Sequence, residues 1–249
     1  MVRIVPVHSA KKAHEVHADE SSGDAADVEE FMAVAAHDLR NPIAVVRASA
    51  QMAQRQMARG DADAARGRLA AIVEQTDRLT EMLEMFVDAA RLSAGRLPLQ
   101  LEPSVDLRDV LDAAVARARQ GTPEPELREV RAVVPERCIG AWDRPRLVRA
   151  VRALVSNALL YGAVSEPVSA VAACADGRVR LTISGGGPGP DADEQTHLFE
   201  RFFRGRSAAE AGQAGSGLGL FVARGIARTH GGDVRRVAGD TFELELPLS

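Results

Sequence analysis

The 249 residues are 46% hydrophobic, enough to bury one or two ordinary cores, and a net charge of −4 gives no global pull toward nucleic acid or an anionic membrane. No run approaches the roughly 18 apolar residues of a membrane span, and the N-terminus lacks an apolar signal core. The chain is therefore expected to be soluble and cytoplasmic, with any sensing domain on a separate protein.

Residues 1–26 are polar and without sustained periodicity, and read as a disordered N-terminal tail; His8, His14 and His17 there lack the company of a metal site. From Val28 the pattern changes. Val28, Met32, Ala35, Leu39, Ile43, Val46, Ala50, Ala53 and Met57 step by three or four, as one apolar seam of a long helix does. The steps from Ala35 to Leu39 to Ile43 form a stutter that locally unwinds a coiled coil. Gly60 ends this helix, and Asp61 or Asp63 caps the next, whose seam is Leu69, Ile72, Thr76, Leu79, Leu83, Phe86 and Ala90. Two helices joined by a short turn make an antiparallel hairpin. Two copies of it would close a dimeric four-helix bundle, the alternative being a monomeric hairpin packed on the rest of the chain.

Beyond Gly95 and Pro98 the character changes again. A strand is expected over LPLQL, then a helix capped by Asp106, a loose GTPEPE segment, and strands near RAVV and CIGAW. Asp143 followed by Pro145 opens a strong helix. Strands over VSAVAA and RVRLTIS follow, then a glycine loop, a short helix through LFERFF and a flexible Gly/Ala segment. A helix over about Gly217–Thr229 and two final strands complete the chain. The mixture indicates an α/β sandwich following the helical hairpin, with the division near residue 97. Cys138 and Cys174 lie in strand-like apolar runs outside any CxxC spacing, and are expected as buried thiols of a reducing compartment.

Two segments carry candidate chemistry. His37 in HDLRNP lies two positions past the seam residue Ala35, about 200° around the helix, so it should point to solvent. Pro42 cannot donate to the Asp38 carbonyl and should kink the helix one turn after the histidine. Asp38 could accept from one ring nitrogen and leave the other as a nucleophile, although a solvated surface aspartate would look the same. The second segment, SGGGPGP at Ser184–Pro190, hangs a glycine loop on a strand end, where backbone N–H groups can approach a phosphate or a base.

These segments resemble the bacterial two-component sensor histidine kinases. FMAVAAHDLRNPIAVVRASAQM is similar to their phosphoacceptor box, and RLTEMLEMFVDAARLSAGRLPLQLEP to their second dimerisation helix and its exit. LVSNALLYG resembles the N box, LFERFFRG the F box, and GSGLGLFVARGIARTHGG the second glycine box. The resemblance implies a HisKA-type dimerisation and histidine phosphotransfer hairpin over residues 27–96. A GHKL (Bergerat) ATP-binding α/β sandwich would follow over residues 97–249. It implies His37 as phosphoacceptor, Asp38 as the acid that polarises it, and Asn41 as a residue orienting water for dephosphorylation, though Asn41 could equally only stabilise the kinked turn. Asn157 would ligate Mg²⁺, and Tyr161 would pack near the base. Gly185, Gly187, Gly189, Arg204, Gly215, Gly217 and Gly219 would complete the ATP site; Arg204 and Arg206 could equally be exposed lid arginines. A response-regulator receiver domain would be the partner of the homodimer.

The sequence departs from the family pattern in two places. Gly185 stands where the family carries the aspartate that accepts from the adenine amino group. Ala153 and Leu160 flank Asn157 where an asparagine and a lysine are usual. Losing a charge-assisted hydrogen bond costs roughly 1.5–3 kcal/mol, or roughly 10- to 150-fold in affinity. The expectation is a weakened or atypical nucleotide site, which restoring Gly185→Asp should tighten. Three readings stay open: an ATP-dependent kinase, a pseudokinase whose hairpin serves as a response-regulator phosphatase or phosphotransfer element, and a non-catalytic signalling scaffold.

Overall fold

Apolar residues recurring every three or four positions produce the two long helices that open the chain. In the computed structural model, which describes residues 12–120, 128–206 and 215–248, α1 spans Lys12–Ala58 and α2 spans Ala62–Ser93. Asp61, not Asp63, caps α2, its carboxylate accepting from the Ala64 N–H at 3.0 Å. The helix α1 runs back beyond the boundary expected near residue 27. Residues 12–26 are helical rather than a tail, because KAHEVHADE is rich in helix formers and contains no proline to stop the helix. Residues 1–11, with His8, lie outside the described residues. Pro42 sits inside α1 and is buried.

A single hairpin covers only part of the two seams. Ala35, Ala53 and Phe86 are buried, whereas Met32, Ile43, Met57, Leu69 and Leu83 stay exposed.

The α/β region begins with β1 (Glu102–Asp106), α3 (Leu107–Gln120), β2 (Val130–Val133), β3 (Ile139–Trp142) and α4 (Arg144–Tyr161). It ends with β4 (Val168–Ala175), β5 (Arg178–Ser184), α5 (Gly219–Thr229), β6 (Asp233–Ala238) and β7 (Thr241–Pro247). Five strands form a sheet in the order β2-β4-β5-β7-β6, with β2 parallel to β4 and the other neighbours antiparallel; β1 and β3 pair separately. The alternation in β5 and β7 puts Val179, Leu181, Ile183, Phe242, Leu244 and Leu246 in the core. Their alternate neighbours form ion pairs on the other face, such as Arg180–Glu245 and Arg235–Glu243. Asp143 caps α4 by accepting from the Arg146 N–H at 3.1 Å, as the Asp-x-Pro pattern requires.

Three local expectations are corrected. The strand lies over 102–106 rather than LPLQL, because pairing with β3 starts only at Glu102. Leu97 is buried without being in a strand, and the Gln100 N–H donates to Asp143 Oδ2 at 2.9 Å. LFERFF forms successive turns instead of a helix, closed by bonds such as Glu200 N to His197 O at 2.8 Å. Cys138 and Cys174 are joined in a disulfide, not held as separate thiols: the fold brings β4 beside the start of β3 with their Cα atoms 6.2 Å apart. Residues 121–127, with the whole GTPEPE segment, and 207–214, with the Gly/Ala segment, lie outside the described residues.

The hairpin docks on the sandwich through α2. Phe31 of α1 meets Phe86 and Phe202 edge-on, with ring centroids 5.8 and 5.7 Å away. Charged pairs tie α2 to α4: Asp88 to Arg146 at 3.4 Å and to Arg149 at 2.8 Å, and Glu81 to Arg152 at 2.9 Å.

Candidate functional site

Where α4, the loop after β5, the start of α5 and the β6–β7 turn converge, they leave a cleft of about 530 Å³. The spacing along α4 puts Ala153, Asn157, Leu160 and Tyr161 on one wall. Gly189 between Pro188 and Pro190 forms a second wall, and Arg204 with Gly215, Gly217 and Gly219 a third. Asp240 and Phe242 also line the cleft, while Met85 of α2 closes one side. Burial pushes the Tyr161 hydroxyl pKa up, with the Arg204 charge pulling the other way.

Arg149 and Arg152 also border the cleft, and the Nε–H of each is buried with no hydrogen-bond acceptor. Burial pushes the Arg152 pKa down, only partly offset by Glu81. Gly217, at φ +68°, sits just before the N-terminus of α5, where backbone N–H groups are left over for an anion.

Gly185 and Gly187 do not line the cleft; they lie behind its wall. A Cβ on Gly185 would run into the Ala158 carbonyl oxygen and come within 2.5 Å of Asp240 Oδ2 and 2.8 Å of Gly162 Cα. The Gly185 N–H donates to Asp240 Oδ2 at 2.9 Å. Gly189, at φ +78°, presses on the Gly239 carbonyl. These glycines therefore let the β5 loop, the end of α4 and the β6–β7 turn approach one another. The expectation that Gly185→Asp simply restores a reader is corrected, because the backbone leaves no room for its Cβ.

Sequence reading missed two residues. Arg128 is buried, and its guanidinium donates to the carbonyls of Ala158 (2.6 Å), Leu159 (3.0 Å), Glu166 (2.9 Å) and Gly185 (2.7 Å), clamping the end of α4 to the glycine loop. Asp240, only 3% exposed, is the other. A lone carboxylate between Gly239 and the buried alternation of β7 was the one signal for it.

On α1, the His37 side chain is 71% exposed, and its Nδ1 lies 3.2 Å from Asp38 Oδ1. A carboxylate only accepts, so Nδ1 carries the hydrogen and Nε2 keeps its lone pair facing outward. Asn41 is exposed one helical turn further along. These three residues belong to the hairpin and are not part of the cleft lining.

Comparison with known proteins decides the family. Residues 27–95 match the His Kinase A (phospho-acceptor) domain, and residues 142–249 match the histidine kinase-, DNA gyrase B-, and HSP90-like ATPase. The chain belongs to the two-component sensor histidine kinases. Among similar proteins, the sensor-like histidine kinase SenX3 of Mycobacterium tuberculosis is 30% identical over 224 residues, covering 88% of this chain and 53% of that protein. The signal transduction histidine-protein kinase BaeS of Escherichia coli is 28% identical over 223 residues, covering 88% and 46%. The chain thus spans about half the length of the curated relatives it matches. The Acinetobacter baumannii histidine kinase AdeS shares the fold with a TM-score of 0.57 at 19% identity, over 86% of this chain and 98% of that one. No described helix is long and apolar enough to cross a membrane.

Proposed function

We propose that this chain is a protein-histidine kinase that transfers the γ-phosphoryl group of ATP to His37 and then to an aspartate of a response-regulator receiver domain. The observation that carries the reading is the His37–Asp38 pair. With Nδ1–H held by Asp38 at 3.2 Å, the exposed Nε2 is the nucleophile. An Nε2–P bond forms as the bond from phosphorus to the bridging oxygen breaks, and ADP leaves with that electron pair. The positive charge growing on the ring is stabilised by the Asp38 carboxylate, which takes up the Nδ1 proton.

The cleft supports the donor end of the reaction. The Arg204 charge and the open end of α5 fit a triphosphate. Among the described residues no cluster of three or more His, Cys, Asp or Glu is arranged for a metal. Mg²⁺ would be held by the amide oxygen of Asn157, which lines the cleft, together with phosphate oxygens and water, neutralising charge on the transferring group. Leu160, in place of a lysine, removes one phosphate contact, so binding is weaker than a full set of contacts would give. The exposed Met32, Ile43, Met57, Leu69 and Leu83 support pairing of two hairpins in a homodimer.

Incubation with γ-labelled ATP and Mg²⁺ tests this. The wild-type chain takes up label and His37→Gln does not; no label in either rejects the kinase reading. A second reading, a pseudokinase acting as a phosphatase or phosphotransfer element, is favoured by Asn41, exposed one turn from His37 where it could orient a water. Under that reading the chain drains phosphate from a phosphorylated receiver domain without nucleotide, and Asn41→Ala does not.

A further inference from the structure

We infer that Asp240 is the base-reading carboxylate of the cleft, and that it selects a purine bearing an exocyclic amine at C6, namely adenine, over the 6-oxo purines. The inference rests on the reading that the cleft holds a nucleotide, and adds to it a residue and a base.

The ladder between β5 and β7 sets the position. Ile183 pairs with Phe242, so the next residues along, Ser184 and Gly185, stand opposite Thr241 and Asp240. The Thr241 hydroxyl donates to Ser184 Oγ at 3.0 Å; Ser184 Oγ lies 3.3 Å from Asp240 Oδ1, and the Gly185 N–H donates to Oδ2 at 2.9 Å. The turn is fixed from behind, where Arg236 donates to the Gly239 carbonyl at 2.9 Å. The carboxylate is thus aimed by its supports before any ligand arrives.

Its chemistry then specifies the ligand group. An ionised carboxylate has about four acceptor sites. The two partners named here, a backbone N–H and a hydroxyl, are both neutral. Buried to 97% in a cleft also lined by Phe242, Leu160 and Pro188, it has acceptor capacity left for a further N–H donor. A flat heterocycle with one amino group supplies that donor and an apolar face. Guanine presents two donors side by side and needs both oxygens free on one side, whereas here each oxygen is already turned toward β5.

The same geometry accounts for Gly185. A Cβ there would stand 2.5 Å from Asp240 Oδ2, so a side chain at 185 and the carboxylate at 240 exclude each other. The acceptor that the strand end lacks is delivered from the neighbouring turn.

Calorimetric titration of the full chain with Mg²⁺ and ATP, ITP or GTP tests this on binding alone. The wild type binds ATP at least about 10-fold tighter than ITP or GTP. In Asp240→Asn, which keeps an acceptor for the Gly185 N–H, the ATP to ITP preference disappears, because the amide N–H₂ can meet the 6-oxo group. Equal wild-type affinities for ATP and ITP, tighter GTP binding, or a preference untouched by Asp240→Asn each overturn the assignment while the nucleotide reading stands. Binding of none of the three removes both. The wild-type comparison needs no variant to fold.

Discussion

Gly185 and Asp240 face each other across the end of the β5–β7 ladder, with the Gly185 N–H 2.9 Å from Asp240 Oδ2. Any side chain at 185 must displace that carboxylate and also the backbone of Ala158 and Gly162. Gly185→Asp is therefore expected to cost about 3 kcal/mol or more and to bind ATP no tighter than wild type. Adding Asp240→Ser recovers only part of the loss, since the two backbone clashes remain. Urea unfolding midpoints of the three proteins check the order, and ATP titration checks the affinity.

Asp88 is 2% exposed and faces Arg146 at 3.4 Å and Arg149 at 2.8 Å, joining α2 to α4. Asp88→Ala removes one of two carboxylates from each guanidinium, leaving Arg146 its Asp143 and Arg149 its Glu84, at an expected cost of about 1–3 kcal/mol. Asp88→Asn keeps one acceptor oxygen for the two guanidinium groups and should lose less. Equilibrium unfolding of both variants measures the gap; equal losses would mean that the negative charge, and not the shape of the side chain, holds the interface.

His230 links the end of α5 to the cap of α4. Its Nδ1–H donates to the Ile226 carbonyl at 2.8 Å, and its Nε2 accepts from the Asp143 N–H at 3.0 Å. Burial lowers its pKa below the ordinary histidine range, against the opposing pull of the Ile226 carbonyl and the Asp143 charge. Its stabilising contribution is thus complete above the unfolded value of about 6.5 and is lost as pH falls through the lower folded value. Once protonated, Nε2 can no longer accept, and the Asp143 N–H is left buried. The Tm should decline from pH 7.5 toward 5, and His230→Gln should start lower but fall less over that interval.

Periodic features could be read ahead of the structure. The three-and-four spacing of Ala35, Ala53 and Phe86 belongs to helix geometry, and Asp143 with Pro145 is a local cap signal, so neither needs a distant partner. LPLQL misled because its alternating leucines report packing, and Leu97 is indeed buried; a strand additionally needs a paired backbone, which β3 offers only from Glu102. Asp240 was illegible for a stronger reason. Its meeting with Gly185 joins positions 55 apart through strand register, just as the disulfide joins cysteines 36 apart. The reach of Arg128 into four carbonyls likewise depends on where the end of α4 comes to rest.

Met85 belongs to the hairpin yet forms part of the cleft wall, with Ser216 Oγ 3.9 Å from its sulfur. The receptacle is therefore completed by the lever that carries the histidine. Any twist imposed on the hairpin from upstream alters the shape a guest encounters, and a guest in residence must bias that twist by an equal free energy. In the proposed kinase, hairpin and nucleotide cleft share this methionine.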